Sequence, residues 1–316
     1  MKSIVAPIRA VADELGGAEL DDGATAVEVP QLVVVATGGT EGAVLELVNR
    51  RGIGTAAAPA VLVAHPAHNS LLARTPVVPT GRLTDRFVAA ADPSSTHDSH
   101  VPVGRVAVDA TAGVAGALDD VVEAGGVDAI SVRCFDLLRD PGTSGCLALA
   151  ELNDDGIVAG CEGDLPSTLG MLWARHLLGR ASWMANPSRL DRRRNELVLA
   201  HCTVAPSLTE GYSLSTHFES GIGVGISGRF AEQPVTLLRI GGRDLDQCWI
   251  AEGEIIEQGD EPDLCRTQVT VALSDGSVDD LLERPLGNHL VMVGGHHAAR
   301  LRRWWQLAIA DSSATG

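Results

Sequence analysis

The chain has 316 residues, 45% of them hydrophobic, and a formal net charge of −17. That length supplies one large or two ordinary domains with a buried core, whereas the acidic charge argues against a nucleic-acid partner, which needs a basic surface to displace counterions. The chain has no uncharged apolar run of about 18 residues and its first residues (Met1-Lys2-Ser3-Ile4-Val5-Ala6-Pro7) lack the apolar core of a signal peptide, so no membrane partner and a cytoplasmic location are expected.

Strand-like and helix-like segments alternate over the first part of the chain. Gln31 to Ala36 reads as a buried strand and Glu41 to Arg50 as a helix with apolar residues at 43, 44, 47 and 48. Ala60 to Ala64 reads as another strand, and Ser70 to Arg74 as a helix. This alternation implies a parallel sheet. Residues 92–102 form a polar loop whose His97 and His100 have no third ligand nearby and read as exposed. Arg105 to Val108 and Asp128 to Val132 read as short strands around an Ala/Gly/Val-rich helix. Residues 1–142 are therefore expected to form an α/β domain with a parallel sheet.

Residues 143–316 are expected to form a second, mixed α/β domain. Gly156 to Cys161 is a strand, Asp164 an N-cap, and Pro166 suits the first helical turn. Leu165, Leu169, Leu172, Trp173 and Leu177 share one face of a helix that ends at Gly179. Ala181 to Ala185 and Glu196 to Ala200 read as strands, stopped at Asn186-Pro187 and at His201. Beyond residue 230 the extended segments Val235 to Ile240, Gln247 to Ile256 and Arg266 to Leu273 follow without helices, as in an antiparallel sheet or small barrel. His297 to Ala310 closes the chain as an amphipathic helix. The six cysteines contain no C-x-x-C pair, which points to buried small side chains rather than a zinc knuckle or disulfide framework.

The chemistry concentrates at "GCEGDL", residues 160–165. A right-handed strand-helix-strand unit puts the carboxyl ends of its strands on one edge, where ligands bind. With the third strand also parallel, Glu162, Asn186 and His201 converge there. Oxygen with imidazole suits manganese, cobalt or magnesium better than a thiolate-rich zinc site. The competing reading of Glu162 and Asp164 is a charge complement to the helix N-terminus, worth about 0.3–1 kcal/mol. His217 and Glu219 precede a glycine-rich run and serve either sugar-hydroxyl recognition or a positive-φ turn. His296 and His297 read as surface residues, and Trp304 and Trp305 as packing residues. "TGGT" at 37–40 is similar to the nucleophile segment of asparaginase-type amidohydrolases. Lys2 is the single lysine, so their threonine-aspartate-lysine set is missing, as is a P-loop lysine.

Four segments together resemble the carboxyl-terminal catalytic half of the L-fucose isomerase and L-arabinose isomerase superfamily: "CEGDLPSTLGMLWARHLLGRASWMANPS" (161–188), "LAHCTVAPSL" (199–208), "THFESGIGVGI" (216–226) and "ERPLGNHLVMVGG" (283–295). The resemblance implies an aldose-ketose isomerase that uses a divalent metal, usually manganese, and acts on a small sugar through a cis-enediol, with residues 1–142 as a reduced, Rossmann-like substrate-binding region. It implies metal ligands at Glu162, Asn186, His201 and His289. Glu162 and Asp164 are the expected catalytic residues. Asn186 departs from the family, which has an acid there, and if the family's proton shuttle uses both carboxylates, this chain either recruits another base, Asp164 or Glu219, or has lost the reaction. His217, Glu219 and Asn69, the last in "AHPAHNSLLA" (64–73), become candidate substrate contacts. A trimer or hexamer is implied by resemblance alone. The rival reading is a sugar-binding protein or one with altered chemistry on the same scaffold.

Overall fold

The computed structural model describes residues 32–35, 103–125, 128–139, 142–242 and 245–313. Asn69 and the elements expected at 41–50, 60–64 and 70–74, with the loop at 92–102, lie outside the described residues.

A three-stranded parallel sheet, in the order β1-β2-β3, comprises β1 (Leu32–Val35), β2 (Ala129–Val132) and β3 (Val158–Gly160). Between β1 and β2 runs α1 (Arg105–Gly125), which takes in the segment 105–108 expected as a strand. Ala112, Val114, Ala115 and Leu118 are buried along it; their helical spacing continues the apolar pattern of 107 and 108 upstream, and four residues were too few to reveal the period. A short helix α2 (Cys134–Leu137) and then α3 (Cys146–Asp154) precede β3. The Asn153 carboxamide locks α3 onto β3: its Nδ2 donates to Leu149 O and Ala159 O, both at 2.8 Å, and its Oδ1 accepts from Ala159 N at 3.0 Å.

Helix α4 (Leu165–Leu178) behaves as its sequence suggests. Asp164 caps it, Pro166 lies in the first turn, and Gly179 ends it in a left-handed conformation. All five residues of the expected apolar face are buried, and so are Ser167, Thr168, Gly170, Met171 and Ala174. A helix buried on most of its circumference needs partners on two sides. It has them, contacting β2 and β3 on one side and the barrel strands β4, β8 and β11 on the other.

The barrel is closed, in the order β10-β5-β4-β11-β8-β9. Its strands are β4 (Trp183–Asp191), β5 (Glu196–His201), β8 (Pro234–Gly241), β9 (Gln247–Gln258), β10 (Thr267–Asp275) and β11 (Leu290–Gly294). Every pairing within it is antiparallel. Alternate residues point inward, so Leu197, Leu199, Val235, Leu237, Val269, Val271, Leu290 and Met292 share one core. A hairpin of β6 (Gly211–Ser215) and β7 (Gly225–Arg229) lies outside the barrel sheet, and α5 (Val278–Glu283) and α6 (Ala298–Ser313) complete the order. Trp304 packs on Trp173 with ring centroids 3.8 Å apart.

Two expectations are corrected. Strand β4 does not stop at Asn186-Pro187 but passes through them with a register shift between Pro187 and Arg189. Neither β4 nor β5 is parallel to β3: both belong to the barrel and are antiparallel to each other. The cause is the turn between them. Asp191 Oδ1 accepts from Arg193 N and Arg194 N, and Asn195 adopts a φ of 57°, which reverses the chain tightly. Among the described residues, no helix is long and apolar enough to cross a membrane.

Candidate metal and active site

Residues 161–164 make a turn closed by Asp164 N donating to Cys161 O at 3.1 Å, and Glu162 and Gly163 at its centre have φ of 58° and 67°. Two successive positive φ values suit Asn-Gly or Asp-Gly; a glutamate pays a backbone penalty there. Gly163 is required doubly, because a Cβ on it would sit 2.6 Å from Arg133 Cγ. Gly160, just before, lets α4 close on β3: a Cβ there would lie 1.9 Å from Thr168 Oγ1. The turn thus holds Glu162 off the end of the parallel sheet and towards the barrel.

The barrel presents two imidazoles to it. His201 is the last residue of β5 and His289 immediately precedes β11; they flank β4 where Ala200 pairs with Asn186 and Leu290 with Ala185. Glu162 Oε1 lies 3.6 Å from His201 Nε2 and 3.5 Å from His289 Nε2, and both imidazole side chains are at most 3% exposed. Ligand atoms of the three residues all lie within 4.8 Å of one another.

Asp164 does more than cap α4. Its Oδ1 accepts from Ser167 N at 3.0 Å, while its Oδ2 accepts from Ser167 Oγ at 3.0 Å and Arg239 Nη1 at 2.7 Å and faces His289 Nδ1 at 2.9 Å. Arg239 is itself buried and also bonds Leu286 O, His289 O and Ser167 Oγ. Burial raises the Asp164 carboxyl, but His289 and Arg239 outweigh it and hold it far below the usual carboxylate range. Burial likewise opposes ionisation of Glu162, and the two imidazoles outweigh it, again well below the usual range. For His289 burial disfavours charge, yet Asp164 and Glu162 raise its pKa to about 9. His201, with burial dominant, is lowered.

This chemistry fits a divalent cation. His201 Nε2 and His289 Nε2 are buried without a hydrogen-bond partner, and both point at one carboxylate oxygen. A buried polar atom left unpaired costs about 1–3 kcal/mol, which a cation held between the three would recover. His289 is set up for this role, since a carboxylate on Nδ1 fixes the ring with Nε2 forward. His201 is less settled: its Nδ1 accepts from Thr203 N at 3.2 Å, so ligation through Nε2 requires its proton to leave and this contact to loosen.

The other expected site residues fall nearby or elsewhere. Asn186 is half-buried on β4, and its Oδ1 accepts from Asn288 Nδ2 at 2.7 Å, beside His289. His217 Nε2 lies 3.0 Å from Glu219 Oε2, and its Nδ1 is 2.9 Å from Ser220 Oγ. Burial lowers the His217 pKa but Glu219 overrides it and raises it; His217 in turn lowers Glu219. His296 lies by Glu252 and Glu254, and His297 bonds Thr236 Oγ1 and Gly294 O. Sequence reasoning missed Arg239, although a charged residue inside the apolar "VTLLRI" (235–240) was a visible signal. It also missed Thr203, which carried none.

An acid and two imidazoles at the meeting of a parallel sheet and a closed barrel define a candidate divalent-cation centre. No family model matches the chain. Among curated proteins it is similar to sulfoquinovose isomerases. It is 36% identical to that of Clostridium sp. (strain MSTE9) over 132 residues, 40% of this chain and 29% of that protein. It is 27% identical to that of Priestia megaterium over 164 residues, covering 50% and 36%, and 28% identical to that of Alkalicoccus urumqiensis over 121 residues, covering 36% and 27%. The matches thus span about a third of the length of these relatives. They bear out the resemblance of the carboxyl-terminal part to the L-fucose and L-arabinose isomerase superfamily.

Proposed function

We propose that the protein is an aldose-ketose isomerase of a small sugar, with Glu162, His201 and His289 as ligands of Mn2+ or another divalent cation and Asn186 as a fourth, neutral donor. The observation that carries this reading is the left-handed Glu162, whose oxygen is aimed at two unpartnered buried imidazole nitrogens. A strained backbone held by its surroundings points to use. A bound divalent ion supplies Lewis-acid polarisation of a sugar carbonyl, which acidifies the neighbouring C–H.

The chain's own residues do the rest. Asp164, with Arg239 behind it, keeps the His289 ring in place. Asp164 was a candidate base, but its two oxygens already take four donors and its proton affinity is depressed, so it is an orienting group. Glu219, half-exposed and paired with His217, is the better candidate to move the proton between the two carbons through a cis-enediol, a contribution of about 10²- to 10⁴-fold. His217 and Asn69 are proposed to bind sugar hydroxyls. We also propose a cytoplasmic homo-oligomer, trimer or hexamer, with residues 1–142 as a reduced substrate-binding domain.

The relatives' name makes sulfoquinovose the first sugar to test, ahead of fucose- and arabinose-type aldoses. The experiment is metal analysis of the purified protein followed by ketose detection on that panel. Metal content with ketose formation supports the isomerase. Sugar binding without turnover supports the non-catalytic alternative, which the neutral Asn186 favours.

A further inference from the structure

Beyond the Glu162 centre, one more group of potential ligands comes together among the described residues: Cys202, Glu219 and Cys265, with one ligand atom of each within 4.8 Å of the others. Barrel register puts the two thiols side by side. Thr267 on β10 pairs with His201 on β5, so Cys202 just follows that rung and Cys265 lies just before it. Glu219 is delivered from the loop between β6 and β7, and its two oxygens have different tasks. Oε2 is held by His217, itself held by Ser220, whereas Oε1 faces Cys265 Sγ at 3.7 Å.

Cys265 Sγ points its proton at the Glu219 carboxylate, and Arg266, the cation nearest in sequence, is engaged elsewhere: it donates to Thr216 O and Oγ1 and lies over the Phe218 ring. Two sulfurs and one oxygen are the donors that zinc-like ions take, and the fourth position of such a site is commonly water. The carboxylate also has the outer partner that metal-bound acids have, His217. Access exists, since the Glu219 side chain is 39% exposed.

We infer that Cys202, Cys265 and Glu219 form a second, thiolate-bearing site for a borderline or soft divalent cation such as zinc, distinct from the Glu162 centre. Occupancy of this site takes Glu219 away from the sugar. Hard ions such as magnesium do not compete for it, because sulfur suits them poorly.

Cobalt(II) added to the reduced, chelator-stripped full chain tests this, because only sulfur ligation gives a thiolate-to-cobalt charge-transfer band. The expected result is a band that appears in the unsubstituted protein and in Cys134→Ser, saturates at one equivalent in Glu162→Gln, where the other centre is gone, and is lost in Cys265→Ser. His217→Ala should weaken binding by about tenfold or more. Absence of the band from the unsubstituted protein overturns the inference. So does a band that survives both Cys265→Ser and Cys202→Ser, or one lost in Cys134→Ser instead. Because Glu162→Gln removes the other centre, failure of the isomerase reading leaves this result unaffected.

Discussion

Replacing Asp164 by asparagine isolates its charge. Asparagine caps a helix about as well as aspartate, so the start of α4 and its bond from Ser167 N survive. What is lost is the charged partner of Arg239 at 2.7 Å and of His289 at 2.9 Å, inside a site where the Asp164 side chain is 12% exposed. Removing one member of a buried pair costs about 3–5 kcal/mol. Arg239 keeps Ser167 Oγ, Leu286 O and His289 O as acceptors, which places the expected loss at the lower end, about 3 kcal/mol. The His289 pKa gives an independent figure. Its rise from 6.5 to about 9 corresponds to about 3 kcal/mol, shared between Asp164 and Glu162. A raised histidine pKa stabilises the fold fully below 6.5, and this stabilisation is lost as pH rises through about 9. The deficit of Asp164→Asn should therefore be largest in the acid part of that window and narrow on the alkaline side. Urea unfolding of the metal-free proteins across this pH range, with NMR titration of the His289 ring, measures both. A loss below about 1 kcal/mol at neutral pH, with His289 still titrating near 9, refutes the reasoning.

Glu162→Gln should abolish ketose formation and weaken metal binding, read by activity and by metal content after dialysis; an active variant with unchanged metal content sinks the assignment. In the unsubstituted protein a divalent cation must displace the His289 proton below a pH of about 9. Its apparent affinity should therefore climb about tenfold per pH unit and level off above that value, with proton release seen by calorimetry in two buffers. Gly160→Ala should cost about 1–3 kcal/mol by overpacking, since its Cβ would meet Thr168 Oγ1 at 1.9 Å, and chemical denaturation measures this.

The cap, length and buried face of α4 were legible because capping and helical periodicity are local signals. The barrel after residue 230 was legible for a similar reason, its strands being bounded by turns. The directions of β4 and β5 were not. They depend on a turn at Asp191 to Asn195 whose side-chain-to-backbone bonds only become visible with the chain folded. The expected meeting of Glu162 and His201 rested on a parallel sheet that does not exist between them. They meet because α4 fills the space between sheet and barrel and brings the two edges together. Arg239 could have been suspected from its apolar neighbours, but its partner lies 75 residues away in sequence, and no local pattern names it.

Glu162 belongs to the edge of one sheet, and His201 and His289 to the rim of another. Any ion held by all three is therefore a rivet between two separately hydrogen-bonded bodies. The centre exists only where the parallel sheet is docked on the barrel through α4, so a bound ion would hold that docking by slowing the separation of sheet from barrel.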